Sequence, residues 1–553
     1  MSKQSILKIT QLCCATILFL CVWSAPSYLT SDVAKACTNL IVTKGASAEN
    51  ACFITYTADS AGLFARLGIV EASDGSFKPD GGVDVFPEGY ATHKVFGFIA
   101  DSFQGVMNDC QVAMAETTWE GREELFNTYG RFKYGELMTA TLQGASTARE
   151  AVELMGRLVA EYGYIDEGES ISICDKNEAW IFDICGTGST SAENNQGSVW
   201  VALRVPDGEI TAHANLARIG VFPKDDPENC LYSPNVESFA IEKGLYDPNS
   251  GEPFSYYKAY GINDVAAKRV CEKRVWSIFR RAAPSLNLSV DYAQGVEGAE
   301  PYPWSIKPDH KLTVAEIAAL MRDHYDGTEY DMSEGVDAGP YGYAMRCRPL
   351  YWEVDGEKYA WERPISTQQT GLSVITRSTS NLPDVVGGLV WFGWDDTYTT
   401  CYTPIYACST ALPPSTIIGT KTRFDIKTGW WTYNFVANYA YPRYKEMLPD
   451  IQAVQSELEN YFYAAQGPIE KAATELALTN PELAISFLTD YSIMQTEKAR
   501  ERWEQLANDL LVKFNDGYTR QPDGSYPNVG YPEEWLRRVI KESGDRFRLP
   551  KEE

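Results

Sequence analysis

The stretch SDVAKACTNLIVTKGAS, Ser31 to Ser47, decides how the rest of the chain is read. A strand-like run starts straight after Cys37, and Cys37 follows Ala34-Lys35-Ala36, a small-x-small triplet of the kind signal peptidases cut. Four readings compete for that cysteine: a lipid-anchor site, half of a disulfide, a buried thiol, or a nucleophile exposed by cleavage. Upstream, Lys3 and Lys8 precede an apolar run from Leu12 to Trp23. That is the order of an export signal, a basic segment followed by an apolar one, and the run is short for a membrane-spanning anchor. The triplet lies more than ten residues beyond the apolar run, farther than such sites usually stand. A cut nearer Trp23 would leave a short propeptide ending at Ala36. Either route ends with Cys37 as the first residue. Lys35 stands where a lipobox wants a small or aliphatic residue, which weighs against a lipid anchor.

The whole chain narrows the choice further. Its 553 residues, 44% hydrophobic and 12% aromatic, predict a large folded core and room for more than one domain. The net charge is −26; residues 1–36 carry Lys3, Lys8 and Lys35 against Asp32, a net +2, so the chain from Cys37 onward stands at −28. Such a surface repels phosphate backbones and anionic lipid, which argues against nucleic acid as a partner. After residue 36 no window holds the roughly 18 uninterrupted apolar residues of a membrane span, so no membrane insertion is expected after processing. Ten of the 13 cysteines lie from Cys37 onward. Cys401 and Cys408, seven apart in CYTPIYAC, are a candidate local disulfide in an exported chain. No CxxC pair stands out and there are four histidines, so the sequence predicts no metal site and no cofactor.

Hydrophobic periodicity gives the elements. TNLIVTK, CFITYTAD and CQVAMAETTW read as strands. Thr147 and Glu150 form a T-x-x-E cap for a helix to Tyr162, with Ala151, Val152, Met155, Leu158 and Val159 on one face. SISIC and AWIFDIC predict a hairpin across Asp175–Glu178. Thr313 and Glu316 cap a second helix. Strands are expected from Tyr351 to about Val436, and helix from about Pro449 to Asn515. The expected divisions are 1–36 (signal and short propeptide), 37–448 (the catalytic domain) and 449–553 (a helical segment and tail), in an α+β layer architecture.

A cysteine at its own N-terminus needs no histidine. The α-amino group, with a reference pKa of roughly 7.7–8.0, is a usable base near neutrality and is tethered to the nucleophile.

The segment CTNLIVTKGASAENACFITYTADSAG resembles the mature N-terminus of the bacterial dipeptidase A family, which belongs to the N-terminal nucleophile hydrolases. Cys37, Thr38, Lys44, Ala46, Ser47, Asp59 and Ser60 match. VAMAETTW, NEAWIFDI, ANLARIG, LMRDHYDGTEYDM, ISTQQTG and GLVWFGWDDTYTTCYTPIY follow in the family's order, so the resemblance runs from Cys37 to about Leu458. It implies a four-layer αββα sandwich with Cys37 at the start of a central strand, and hydrolysis of dipeptides in the periplasm or outside the cell. Further site residues follow from the resemblance. Asp59 would hold the α-amine. Asn215 would donate to an oxyanion, and Arg218 would orient it or bind the substrate carboxylate. Thr118 lies about where some relatives place an Asn, and Glu116 is chemically suited to the ammonium of a dipeptide. His213 is expected to be structural. Many relatives carry an Arg just before this Asp; here Tyr56-Thr57-Ala58 stands there. An N-acyl amide hydrolase of the penicillin V or bile-acid type is the alternative on the same scaffold. A non-catalytic secreted binding protein is the second, and a homo-oligomer stays open.

Overall fold

The computed structural model describes residues 37–73, 86, 90–166, 168–194, 197–262 and 264–551. The expected signal and propeptide, residues 1–36, lie outside them.

Sixteen strands are described, in chain order β1 Asn39–Val42, β2 Cys52–Asp59, β3 Arg66–Val70, β4 Val95–Ile99, β5 Phe103–Asn108, β6 Ala113–Trp119, β7 Gly168–Cys174, β8 Ala179–Gly186, β9 Ser198–Arg204, β10 Ile210–His213, β11 Cys230–Tyr232, β12 Tyr351–Val354, β13 Glu357–Ala360, β14 Thr370–Ser378, β15 Leu389–Trp394 and β16 Thr403–Tyr406. Two antiparallel sheets are built from them. The first has six strands in the order β10-β1-β2-β14-β15-β16, the second eight in the order β11-β9-β8-β7-β6-β5-β4-β3. β12 and β13 form a two-stranded hairpin within residues 346–361, a separate unit.

The period-2 pattern of the strands sorts residues between layers. On β7 and β8, Ile171, Ile173, Trp180, Phe182 and Ile184 join one buried cluster with helices α1 (Tyr134–Gly144) and α2 (Ala148–Tyr162). The alternate residues face the other sheet. Ser172 on β7 meets the ring of His213 on β10, and Ala179, Ile181 and Cys185 belong to the cluster between the sheets. Thr147 caps α2 by accepting from the backbone N–H of Glu150, as the T-x-x-E spacing predicts. The hairpin across Asp175–Glu178 is present, and so is the capping box of Thr313 and Glu316.

Beyond the six-stranded sheet lie further helices: α3 Glu272–Ala282, α4 Val314–Met321, α5 Gly429–Ala440, α6 Tyr444–Ala477 and α7 Pro481–Phe514. Helix, sheet, sheet, helix is the αββα sandwich. Among the described residues no helix is long and apolar enough to cross a membrane.

Three expectations are revised. Residues 429–440 are helical, not strand: Thr428 caps them, and Gly429, Thr432, Tyr433, Val436 and Ala440 recur at helical spacing on the buried side. The aromatic run imitates a strand in composition only. The long helical region starts at Tyr444 rather than Pro449 and is two helices, separated at 478–480. Cys401 and Cys408 are both free thiols. β16 lies between them, and its four extended residues alone span about 13 Å, beyond the roughly 7 Å between Cα atoms that a disulfide can bridge.

Candidate active site

Cys37 precedes β1 in the first sheet, one residue before Thr38, which bridges to Thr57 of β2. Its backbone is fixed by a buried cation the sequence reading did not single out. Arg274 of α3 donates through Nη1 to the Cys37 carbonyl oxygen at 2.7 Å and to Thr38 Oγ1 at 2.8 Å. Through Nη2 the same guanidinium reaches the Ala214 carbonyl at 3.1 Å and Asn215 Oδ1 at 2.9 Å. Asn215 sits in the left-handed region, φ 63°, which asparagine tolerates. Its Nδ2 donates to the Thr118 carbonyl at 2.5 Å.

The Cys37 thiol is 3.7 Å from Glu116 Oε1 and 3.9 Å from the Tyr56 hydroxyl, and Tyr56 itself donates to Glu116 Oε1. Burial pushes the thiol pKa well up, and the carboxylates of Glu116 and Asp59 push it further; the Asp59 backbone N–H and the Tyr56 hydroxyl act against them. Tyr56 is likewise raised, first by burial. The cysteine is therefore held as a thiol in this environment and needs a base to react.

Asp59 ends β2. Its Oδ2 pairs with Arg363 Nη2 at 2.5 Å and accepts from Thr57 Oγ1 at 3.1 Å, while Oδ1 accepts from Thr370 Oγ1 at 2.6 Å. Arg363, itself buried, is the cation beside this aspartate, although 304 residues separate the two. No local pattern around Asp59 could have pointed to it; the nearby ISTQQTG motif was its only signal.

Cys37, Tyr56, Asp59 and Glu116 line a pocket of about 240 Å³, together with Phe98, Asp101, Gln104, Lys133, Tyr134 and Glu136 among others. That is below the roughly 300–1,000 Å³ of sites for drug-sized ligands and suits a small substrate. Glu116 is 2% exposed, and its Oε2 has no hydrogen-bond partner among the described residues. An unpartnered carboxylate oxygen buried beside the thiol is costly unless a donor arrives from outside.

Three candidates from the sequence, Asn215, Arg218 and Thr118, are not among the residues that line the pocket. Arg218 spends its guanidinium on the carbonyls of Ala212 at 2.9 Å and Pro303 at 2.8 Å and on an ion pair with Glu272 at 3.3 Å. Thr118 donates to Glu169 Oε2 at 3.1 Å, and its carbonyl holds Asn215. His213 has both ring nitrogens occupied, 2.7 Å from Thr117 Oγ1 and 2.7 Å from Ser172 Oγ, and burial followed by the Arg218 charge lowers its pKa to about 3. It stays neutral and staples the two sheets.

The model of peptidase family C69 matches residues 98–457. A protein named probable dipeptidase from Latilactobacillus sakei is 26% identical over 372 residues, covering 67% of this chain and 68% of that one. A probable dipeptidase from Salmonella dublin is 28% identical over 54% of this chain and 62% of its own length. A probable dipeptidase A from a Streptococcus pyogenes strain is 23% identical over 77% of this chain and 86% of its own. Among solved structures, penicillin V acylase from Agrobacterium tumefaciens aligns with 67% of this chain and 86% of that one, at 11% identity and a TM-score of 0.31.

Proposed function

The chain belongs to peptidase family C69 and is a peptidase, and from that premise we propose that it is an exported dipeptidase whose nucleophile is an N-terminal Cys37 freed by cleavage after Ala36. The observation that carries the reading is the pairing of a buried cysteine thiol with the unpartnered Oε2 of Glu116 in one small pocket. A dipeptide presents an ammonium close to its single amide bond. Glu116 takes that ammonium and so sets the scissile carbonyl beside Cys37 Sγ. Lys133, on the same pocket, is the cation for the dipeptide's carboxylate. The relatives' names, which speak of dipeptidases, support the same substrate class.

The chemistry follows from the tethered base. The freed α-amine of Cys37, held by Asp59, accepts the thiol proton as sulfur attacks the carbonyl carbon. The oxyanion is carried by the second N–H of Asn215 Nδ2, the first being held by the Thr118 carbonyl, and by a backbone N–H; Arg274 on Oδ1 fixes the amide so that its nitrogen is the donating end. The amine returns the proton to the leaving nitrogen as the C–N bond breaks, which leaves a thioester. Water, deprotonated by the same amine, attacks the thioester, and the S–C bond breaks. Export is supported by Lys3 and Lys8 ahead of Leu12–Trp23.

Intact-mass and N-terminal analysis of the purified protein, joined to an assay of dipeptides beside N-acyl amides, tests the reading. The expected result is a chain starting at Cys37 that cleaves dipeptides. A mature protein that keeps Ala36, or a Cys37 bridged to another cysteine, overturns the nucleophile. Turnover of acyl amides with inert dipeptides overturns the substrate.

A further inference from the structure

The described residues contain one group of three metal-ligating side chains close enough to share an ion, His93, Asp109 and Cys110, and it is not at the catalytic pocket. The sequence conceals it, because His93 lies 16 residues from Asp109. The fold brings them together at one end of the second sheet. His93 stands just before β4, while Asp109 and Cys110 occupy the turn between β5 and β6. Phe98, which lines the catalytic pocket, lies five residues further along β4, about 16 Å away at the rise of an extended strand.

The spacing of the three ligand atoms is one that a shared ion can bridge. With metal–nitrogen and metal–oxygen bonds near 2.1 Å and metal–sulfur near 2.3 Å, neighbouring ligands around zinc lie about 3.3–3.6 Å apart. Here Cys110 Sγ is 3.5 Å from His93 Nδ1, and Asp109 Oδ1 is 3.0 Å from the same nitrogen. The three ligand atoms all lie within 4.8 Å of one another. Cys110 Sγ is also 3.9 Å from Nε2, so the thiol lies beside the ring, and a turn of the imidazole brings Nδ1 to face both Asp109 Oδ1 and Cys110 Sγ around an ion. All three residues are partly exposed, so it has an entry path.

The surroundings hold the ligands in place. His93 Nε2 lies 3.1 Å from Ser146 Oγ, an outer partner that fixes the ring. Asp109 Oδ2 accepts from the Lys94 backbone N–H at 3.3 Å. The backbone N–H of Cys110 is held by Asn108 Oδ1 at 3.0 Å, and buried Asn108 is anchored in turn on the carbonyls of Leu142 and Ala145, at 2.7 and 2.8 Å. With the turn this well fixed, the imidazole of His93 is the group that moves on binding.

We propose that His93, Asp109 and Cys110 form a binding site for one divalent, thiol-favouring cation of the zinc class, separate from the catalytic pocket. His93 binds through Nδ1, Asp109 through Oδ1 and Cys110 as thiolate, its proton passing to solvent. Three protein ligands leave the fourth position to water. The ion ties the start of β4 to the turn that feeds β6, the strand that carries Glu116.

Cobalt(II) titration of the purified protein tests this, because a cobalt–thiolate bond gives a near-ultraviolet charge-transfer band. The expected result is one equivalent of band-forming cobalt, displaced by zinc, unchanged in Cys37→Ala and absent in Cys110→Ser. Ser146→Ala should keep the band and weaken affinity about tenfold, as loss of an outer partner does. Should Cys110→Ser fail to fold, peptide-mapped alkylation of the wild-type protein replaces it: zinc must slow labelling of Cys110. No band in the wild type, a band that survives in folded Cys110→Ser, or labelling of Cys110 indifferent to zinc overturns the site.

Discussion

The guanidinium of Arg274 holds the carbonyl oxygen of Cys37 at 2.7 Å and, with its other arm, Asn215 Oδ1 at 2.9 Å. One buried cation thus fixes both the backbone of the proposed nucleophile and the amide proposed for the oxyanion. Burial followed by the charge of Arg363 lowers its pKa to about 10, so it stays charged near neutrality. Lysine cannot reproduce this fork, because an ammonium has no planar array of donors. Arg274→Lys is expected to lower kcat by about 10–100-fold, the range for one lost charge-assisted hydrogen bond, with little change in KM. Steady-state kinetics on folded variant check it; unchanged kcat with only a lower Tm would make Arg274 purely structural.

Cys37→Ala should abolish dipeptide hydrolysis while the cooperative unfolding transition survives, since the side chain is small and its packing loss modest. Cys37→Ser should retain slow turnover, because an alkoxide is harder to form with the same amine. Dipeptidase assays and thermal unfolding of both variants decide it, and activity of the alanine variant near wild type would remove Cys37 from the chemistry.

Glu116→Gln separates binding from activation. Losing the charge that meets a substrate ammonium should raise KM for dipeptides by about 10–100-fold, and should affect N-acetylated dipeptides far less. The same change should lower the Cys37 pKa, because the Glu116 carboxylate is one of the groups that raises it. Alkylation of Cys37 followed against pH should therefore move to lower pH. A KM indifferent to substrate charge would show that Glu116 does not bind the ammonium.

What the sequence discloses here is local, and what it hides is long-range. The cap of Thr147, the hairpin across Asp175–Glu178 and the strand that follows Cys37 are set by residues a few positions apart, so periodicity reveals them. Arg363 beside Asp59 and Arg274 beside Cys37 are partners across more than 200 residues, and no pattern around Asp59 or Cys37 marks either. Gly429–Ala440 misleads for another reason: its aromatic composition is that of a strand, while its cap and spacing are those of a helix. Arg218 shows a third limit. A motif places the residue, but only the fold shows that Glu272 and backbone carbonyls occupy its guanidinium.

His213 makes the sandwich acid-sensitive. Its folded pKa is about 3, against roughly 6.5 when unfolded, so between these values the unfolded chain binds the extra proton. Stability therefore falls as pH drops through that window, by up to about 1.4 kcal/mol per pH unit from this residue. Asp183, raised by burial to about 6, acts in the opposite sense between roughly 3.8 and 6, because there the folded state holds the proton. The difference between wild type and His213→Gln isolates the histidine. Denaturant unfolding at pH 7 and pH 5 should show the wild type losing more stability than the variant; equal losses would show that His213 is not buried neutral.

The helices after residue 443 should prove inseparable from the sandwich. β16 is the edge strand of the six-stranded sheet, and an open edge exposes unpaired backbone groups. α7 covers it: Ser492 Oγ accepts from the Tyr406 N–H at 3.1 Å, and Thr489 Oγ1 accepts from the Thr410 N–H at 3.2 Å just beyond the strand. Leu488, Trp503, Leu506, Leu510 and Phe514 of the same helix are buried in the cluster that includes Leu40 and Ile41 of β1. Trp503 also stacks on Tyr433 of α5, ring centres 4.8 Å apart. A chain ending at residue 480 should therefore aggregate rather than yield a folded catalytic domain. Trp503→Ala, a milder cut, should cost about 3–5 kcal/mol in denaturant unfolding. A soluble, active protein truncated at 480 would show instead that the first 480 residues fold by themselves.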